Sequence, residues 1–204
     1  GIGTETWFLP NGDSDTTNTS QFRISNEGII TSPDKSSLHG SLSSDNNLMV
    51  LTGTYPEDND GMYLLMIYVK AGGAFTQKDL EGSWYGHSIF TGVSVGWQYM
   101  SLDINETGSM EFSLTEADGD QKFGSEGQLN LSRDGIITAD FNESFHGILS
   151  ADKNIFVATE SPQENEYYLH VYVKTGTDFR VSDLEGEWSE HTLYTGVENY
   201  WERS

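Results

Sequence analysis

A six-residue motif occurs twice in this chain of 204 residues. Asp79-Leu-Glu-Gly-Ser-Trp84 returns as Asp183-Leu-Glu-Gly-Glu-Trp188, a shift of 183 − 79 = 104 residues and about half of the chain. Self-similarity at a fixed spacing indicates a repeat architecture, so one structural unit has to account for both halves. The match extends beyond the motif to two further pairs at the same spacing, His87 with His191 and Trp97 with Trp201.

The remainder of the repeat matches at a slightly larger spacing. Gly28-Ile-Ile-Thr31 corresponds to Gly135-Ile-Ile-Thr138, an offset of 135 − 28 = 107 residues. Tyr68-Val-Lys70 corresponds to Tyr172-Val-Lys174 at 172 − 68 = 104, so three residues are lost in between. The loss falls in the polar segment around 55–61, as expected because loops absorb length changes cheaply.

The two copies are out of phase with the ends of the chain. Only residues 79–182 contain a copy that is whole and in order. The first copy begins part-way, and residues 183–204 supply the opening that it lacks. We therefore predict one β unit from 79–182 and another from 1–78 plus 183–204. In this hypothesis the pair is circularly permuted and the C-terminal strand completes the first unit; a slice of a longer repeat array would give the same pattern.

The local signals are those of strands and tight turns. Gln128-Leu-Asn-Leu-Ser132 alternates polar and apolar residues, and Asp134-Gly135 then marks a hairpin turn before the next apolar run. No segment has helical periodicity of useful length. In the complete unit, the sequence pattern from Ser83 to Lys174 predicts about eight short strands in meander order. We predict an all-β fold of two tandem antiparallel barrel-like units, with a small β-propeller as the alternative.

The motif also carries a family resemblance. Gly82-Ser-Trp-Tyr-Gly86 resembles the Gly-x-Trp first strand of calycin-type barrels, the lipocalins and the avidin family, although the second copy lacks the tyrosine. The resemblance implies that the tryptophan plugs one end of the barrel. It also implies a small-molecule cavity in the barrel mouth. More generally, the chain resembles tandem β-repeats of bacterial secreted proteins.

The charge balance narrows the choice of partners. The chain has 32 acidic and 10 basic residues, a net charge of −22. Nucleic acids and anionic membranes bind Lys/Arg clusters, so neither is an expected partner. No apolar run is long enough for a membrane helix, and we expect no membrane insertion. We predict an extracytoplasmic location: periplasmic, secreted or at the cell surface.

Aromatic residues supply the candidate ligand-binding positions. Alternation along the first strand of the repeat places Trp84 and Phe90 on one face, with His87 on the other. An aromatic face can stack a sugar ring or an apolar ligand, but such faces more often form a core. The candidates for ligand binding are Trp84, Phe90, Trp97, Trp188, Tyr194 and Trp201.

Metal binding has weaker support. With no cysteine in the chain, disulfides and thiolate zinc sites are excluded. The paired histidines lack the close spacing of a metal site, so we assign them to the fold. Acidic turns could bind calcium, although none matches the EF-hand loop and such turns also arise from hairpin geometry alone. The calcium candidates are Asp13, Asp15, Asp58, Asp60, Asp118 and Asp120; no other cofactor is expected.

Catalytic motifs are lacking in the sequence. Neither a Gly-x-Ser-x-Gly elbow nor a phosphate-binding loop nor a His-Glu-x-x-His segment occurs. We therefore predict a non-catalytic binding module for carbohydrate or a small apolar ligand. The first alternative is a structural or adhesive spacer, and a hydrolase that uses acidic residues is the second. A binding module predicts an open cavity or an exposed aromatic surface, whereas a spacer predicts five buried tryptophans and no cavity.

Overall fold

The protein is represented by a computed structural model that describes residues 2–8, 14–34, 36–55, 62–176, 180–186, 190–194 and 200–203. In these ranges the chain is built from strands and two short 3₁₀ turns, Gln77–Leu80 and Val181–Leu184. It divides into two units, one of Gly1–Tyr68 with Glu187–Ser204 and one of Val69–Gly186. No helix in the described ranges is long and apolar enough to cross a membrane.

Seven strands precede the repeated motif. They are β1 Ile2–Phe8, β2 Ser14–Gln21, β3 Arg23–Ile24, β4 Ile29–Thr31, β5 His39–Leu42, β6 Leu48–Tyr55 and β7 Met62–Val69. Strands β1 and β2 form a hairpin, and β3 to β7 form a five-stranded sheet in sequence order.

The second unit contains the next eight strands. They are β8 Gly82–Gly92, β9 Gly96–Ile104, β10 Ser109–Glu116, β11 Gln121–Leu131, β12 Ile136–Ala139, β13 His146–Leu149, β14 Ile155–Glu160 and β15 Glu166–Lys174. Each pairs antiparallel with the next, and β15 pairs back with β8, so the sheet is a closed barrel. The predicted eight-stranded meander is confirmed. The propeller alternative is wrong for this unit, because a propeller consists of separate four-stranded sheets, whereas these eight strands form one closed sheet.

Alternation along β8 decides what lies inside the barrel. Trp84, Gly86 and Ser88 are buried, whereas Tyr85 and His87 between them are exposed. The aromatic face that the sequence predicted is therefore the interior face. Hairpin turns at the ends of the strands contain glycines in the left-handed region, where a side chain would be strained: Gly108 at φ +91°, Gly119 at +90° and Gly135 at +89°.

One end of the barrel is closed by the repeated motif. Leu80 and Trp84 are both 0% exposed and belong to the main apolar core. The Trp84 ring meets Phe156 edge-on, with 4.9 Å between the ring centroids. The Lys174 ammonium lies 5.1 Å from the centre of the Trp84 ring. Because Phe75 and Leu80 pack into this core, the unit begins at Val69, ahead of the predicted start at residue 79.

The first unit reproduces part of the same pattern. Ile30 faces Gly40 across β4 and β5, and the residues 107 positions later, Ile137 and Gly147, face each other across β12 and β13. Its core is formed by Ile30, Leu38 and Leu51, packed with partly buried neighbours that include Met66 and Tyr68. The last two strands, β16 His191–Tyr194 and β17 Tyr200–Arg203, form a hairpin beside β6.

Candidate ligand-binding cavity

A cavity of about 550 Å³ lies inside the β8–β15 barrel. The exposed residues Phe141 and Pro162 are part of its lining, so it opens to solvent at the end opposite to Trp84. We call this end the mouth. The deeper wall is apolar and comes mainly from Met100, Leu102, Met110, Phe112, Phe156 and Tyr172.

A small residue leaves room for the aromatic wall. Gly86 faces inward on β8, and a Cβ atom there would lie 2.5 Å from the Tyr172 ring. Tyr172 uses this space to stack on Phe156, with 4.2 Å between the centroids, and its hydroxyl donates to the Met100 sulfur at 3.2 Å. The glycine therefore positions the ring that forms the cavity wall.

A network of hydrogen-bonded polar side chains, here called the polar chain, lies in the barrel near the mouth. His170 is 2% exposed, and its Nδ1 lies 2.6 Å from the Ser88 hydroxyl. Its Nε2 lies 3.2 Å from Glu160 Oε1, while Asn142 donates to the other Glu160 oxygen at 2.8 Å. A carboxylate only accepts hydrogen bonds, so Nε2 donates to Glu160 while Nδ1 and the Ser88 hydroxyl are partners on the other side of the ring.

Gln98 lies beside this chain but takes no part in it. Its backbone is opposite Ser88 in the register of β8 and β9. The side chain is 9% exposed, lines the cavity, and has no hydrogen-bond partner among the described residues. The amide faces the cavity, so it is available to a polar atom of a ligand or to water.

Negative charge surrounds the mouth. Glu160 lines the cavity, and Glu116 lies opposite Gln98 in the register of β9 and β10. Glu166 is 5% exposed and accepts hydrogen bonds from Ser94 and from Gln163. These bonds join the β8–β9 and β14–β15 loops, which are neighbours at the mouth because β15 pairs with β8.

Burial and nearby negative charge both raise the pKa of the tyrosine at the mouth. Tyr168 lines the cavity and stacks on Phe90, with 4.8 Å between the ring centroids. Burial raises the pKa of the Tyr168 hydroxyl, and the negative charges of the three glutamates around the mouth raise it further. The residues that line the cavity in the described barrel include no lysine or arginine.

The predicted aromatic candidates separate into different environments. Trp84 is a core residue at the closed end, and Phe90 packs against Tyr168 near the mouth. Trp97 points outward, is 50% exposed, and stacks on Tyr99 with 6.2 Å between the centroids. Trp188 lies outside the described residues. Tyr194 and Trp201 lie in β16 and β17, where only the backbone is described.

Two of the calcium candidates come together in the β10–β11 turn. Asp118, Asp120 and Glu116 each have a carboxylate oxygen within 4.8 Å of the others. Lys122 also forms an ion pair with Glu116, which supplies a positive charge at the same place. Asp15 lies in β2, where only the backbone is described, and the other three candidates, Asp13, Asp58 and Asp60, lie outside the described residues. Calcium binding stays a prediction.

Sequence reasoning missed the polar chain and Gln98. Comparison of the two copies contains a signal for the polar chain, because His170 and Glu160 have no polar counterpart in the other copy. The position equivalent to His170 is Met66 at an offset of 104, and the position equivalent to Glu160 is Gly53 at 107. A histidine and a glutamate that occur in only one copy of a repeat are candidates for a role specific to that copy.

Strands β8 to β15 thus form a closed eight-stranded antiparallel barrel with an internal cavity. No family model matches the sequence, and no curated protein matches it either.

Proposed function

We propose that the 69–186 unit is a non-catalytic binding module whose barrel cavity takes a small, mainly apolar ligand. The observation that carries the proposal is the cavity itself. Its volume of about 550 Å³ lies within the range of about 300–1,000 Å³ typical of small-molecule sites. Its wall is mostly apolar, with a few polar groups near the mouth, and this combination suits an apolar body with one polar end.

The position of Trp84 supports the same function. The resemblance of Gly82-Ser-Trp-Tyr-Gly86 to calycin-type barrels implies a plugged base and a ligand in the mouth. Trp84 is fully buried at the closed end, and the cavity opens at the other. A spacer would need neither an open cavity nor a half-exposed tryptophan such as Trp97. We further propose that the protein acts outside the cytoplasm, as its resemblance to tandem β-repeats of bacterial secreted proteins suggests.

A titration of the full chain with Nile red, a neutral apolar fluorophore, tests cavity binding. Leu114 lines the cavity, so Leu114→Trp should fill it and weaken dye binding by about tenfold. Thr115, the next residue on β10, points to the outside by strand alternation, and Thr115→Trp is the matched control. Equal binding by the two variants would show that the dye does not occupy the cavity.

Carbohydrate binding at the outer surface is a second candidate. It rests on Trp97 and Tyr99, which are 50% and 47% exposed and stand next to each other on the outward face of β9. Exposed aromatic rings of this kind can stack on sugars. A glycan panel compared between the natural chain and Trp97→Ala tests it, and a glycan signal that the substitution leaves unchanged would contradict it.

A further inference from the structure

We infer that the ligand of the barrel cavity is an apolar molecule ending in a protonated amine, with the amine at Glu160 and Gln98. The inference rests on the proposed binding function and specifies its ligand class. It is argued from the charges at the mouth, from the unpartnered amide of Gln98, and from the fixed position of the Glu160 carboxylate.

The charges at the mouth favour a cation. Glu160 on β14 lies in the cavity wall, Glu116 on β10 lies opposite Gln98, and no lysine or arginine lines the cavity in the described barrel. Lys122 is paired with Glu116 and is mostly exposed, so it does not supply a positive charge to the Glu160 side. An anionic ligand such as a fatty acid would bring a carboxylate next to Glu160, and like charges at short range disfavour binding.

The Glu160 carboxylate is held in place and still has acceptor capacity. His170 donates to Oε1 at 3.2 Å, and Asn142 donates to Oε2 at 2.8 Å. Each carboxylate oxygen can accept a second hydrogen bond. A carboxylate whose rotamer is already fixed loses little side-chain entropy on binding, so a bound ammonium gains a charge-assisted hydrogen bond at small cost.

Gln98 provides the second acceptor. It is nine-tenths buried, lines the cavity, and has no partner among the described residues. Gln98 on β9 and Glu160 on β14 both line the cavity, and Ser88 and His170 lie between them on β8 and β15. An ammonium has three donors and no acceptor, so it can donate to an amide oxygen and a carboxylate at the same time.

The aromatic residues nearby suit the same ligand. Tyr168 lines the cavity at the level of Glu160, which it faces in the register of β14 and β15. A cation over the face of an aromatic ring is attracted by the ring quadrupole. Deeper in the barrel, Phe156 and Tyr172 offer apolar ring surface to the body of the ligand.

Three probes with one aromatic body test the inference. We would titrate the full chain with naphthylmethylamine, naphthylmethanol and naphthoate, which differ only in carrying a cationic, neutral or anionic group. We expect the amine to bind about tenfold more tightly than the alcohol, as one charge-assisted hydrogen bond allows, and naphthoate to bind most weakly. Glu160→Gln should remove the preference for the amine over the alcohol.

The control separates local recognition from the general attraction of an acidic protein for cations. Glu111 is exposed on the outer side of β10, and Glu111→Gln removes the same charge there. It should leave the amine preference unchanged. Circular dichroism and Nile red binding verify that Glu160→Gln is folded with its cavity intact.

The possible results are distinct. If the alcohol or naphthoate binds as tightly as the amine, or if Glu160→Gln keeps the preference, the inference is wrong while the binding function stands. If neither the probes nor Nile red binds, the proposed function fails and the inference fails with it.

Discussion

The indole Nε1 of Trp84 donates a hydrogen bond of 2.9 Å to the carbonyl oxygen of Leu80. The two residues are the sixth and second of the repeated motif, and both are fully buried. The bond satisfies the only polar atom of the tryptophan side chain inside an apolar core. The motif thus builds the closed end of the barrel, and its conspicuous tryptophan belongs to the architecture.

Trp84→Phe should lower the free energy of unfolding by about 1–3 kcal/mol, because the carbonyl of Leu80 loses its partner and ring volume is lost. Urea denaturation followed by circular dichroism measures the change. The control is Trp97→Phe at the half-exposed outer position, where we expect a change below about 0.5 kcal/mol. Similar costs at the two positions would contradict the assignment of Trp84 to the core.

Asp79 should contribute stability that depends on pH. The hydrogen bond from Lys153 is the main reason that the pKa of the Asp79 carboxyl lies below its ordinary value of 3.8, and the backbone N–H of Thr76 adds to it. A carboxyl whose pKa is lower in the folded state stabilises the fold above the unfolded-state pKa. That contribution is lost as the pH falls through the folded-state pKa.

We therefore expect Asp79→Asn to cost about 1 kcal/mol at neutral pH, through the lost charge and ion pair with Lys153, and to cost progressively less as the pH falls below 3.8. Urea denaturation across a pH series measures the difference between variant and natural chain. Glu143→Gln, at an exposed position in the β12–β13 turn, is the control for the removal of one surface carboxylate. A cost that does not change with pH would contradict the role of the charged form.

Gly86→Ala should destabilise the barrel by about 1–3 kcal/mol and disturb the cavity. The new methyl group would lie 2.5 Å from the Tyr172 ring, so the ring would have to move. Thermal unfolding and Nile red titration measure the two effects. Gly73→Ala is the matched control, because a Cβ there has no neighbour within 4 Å. Unchanged stability and binding in Gly86→Ala would contradict the close packing of Tyr172 on β8.

Removal of residues 187–204 should destabilise the first unit and spare the barrel. Strands β16 and β17 lie beside β6 and belong to the same unit as residues 1–68. The barrel closes through β15 and β8 without them. Differential scanning calorimetry of the natural and shortened chains should show loss of stability in one transition, with the other serving as an internal control. An unchanged profile would contradict completion of the first unit by the C-terminal strands.

Much of the barrel could be predicted because its signals are local. Asp134-Gly135 gave a hairpin whose turn glycine adopts φ +89°, and alternation on β8 gave two distinct faces. Local signals did not show whether the sheet closes into a barrel. Closure depends on β15 pairing with β8, and a meander that closes as a barrel has the same local pattern as one that does not.

The site was harder to predict than the fold. Ser88 and His170 are 82 positions apart in sequence, and only barrel closure brings them to 2.6 Å. Apolar residues occur on both faces of β8, so the sequence did not show that Trp84 points inward and that Trp97 on the next strand points outward. Glu160 was one of 32 acidic residues, and its place in the cavity depends on the same long-range pairing.

The plugged base has a consequence for the kinetics of exchange. With Leu80 and Trp84 filling one end, a molecule that reaches the cavity of the described barrel enters and leaves by the same route. The Ser94 and Gln163 bonds to Glu166 fasten the loops beside that route. Capture and release both pass these loops, so we expect Ser94→Ala or Gln163→Ala to change the two rates in the same direction.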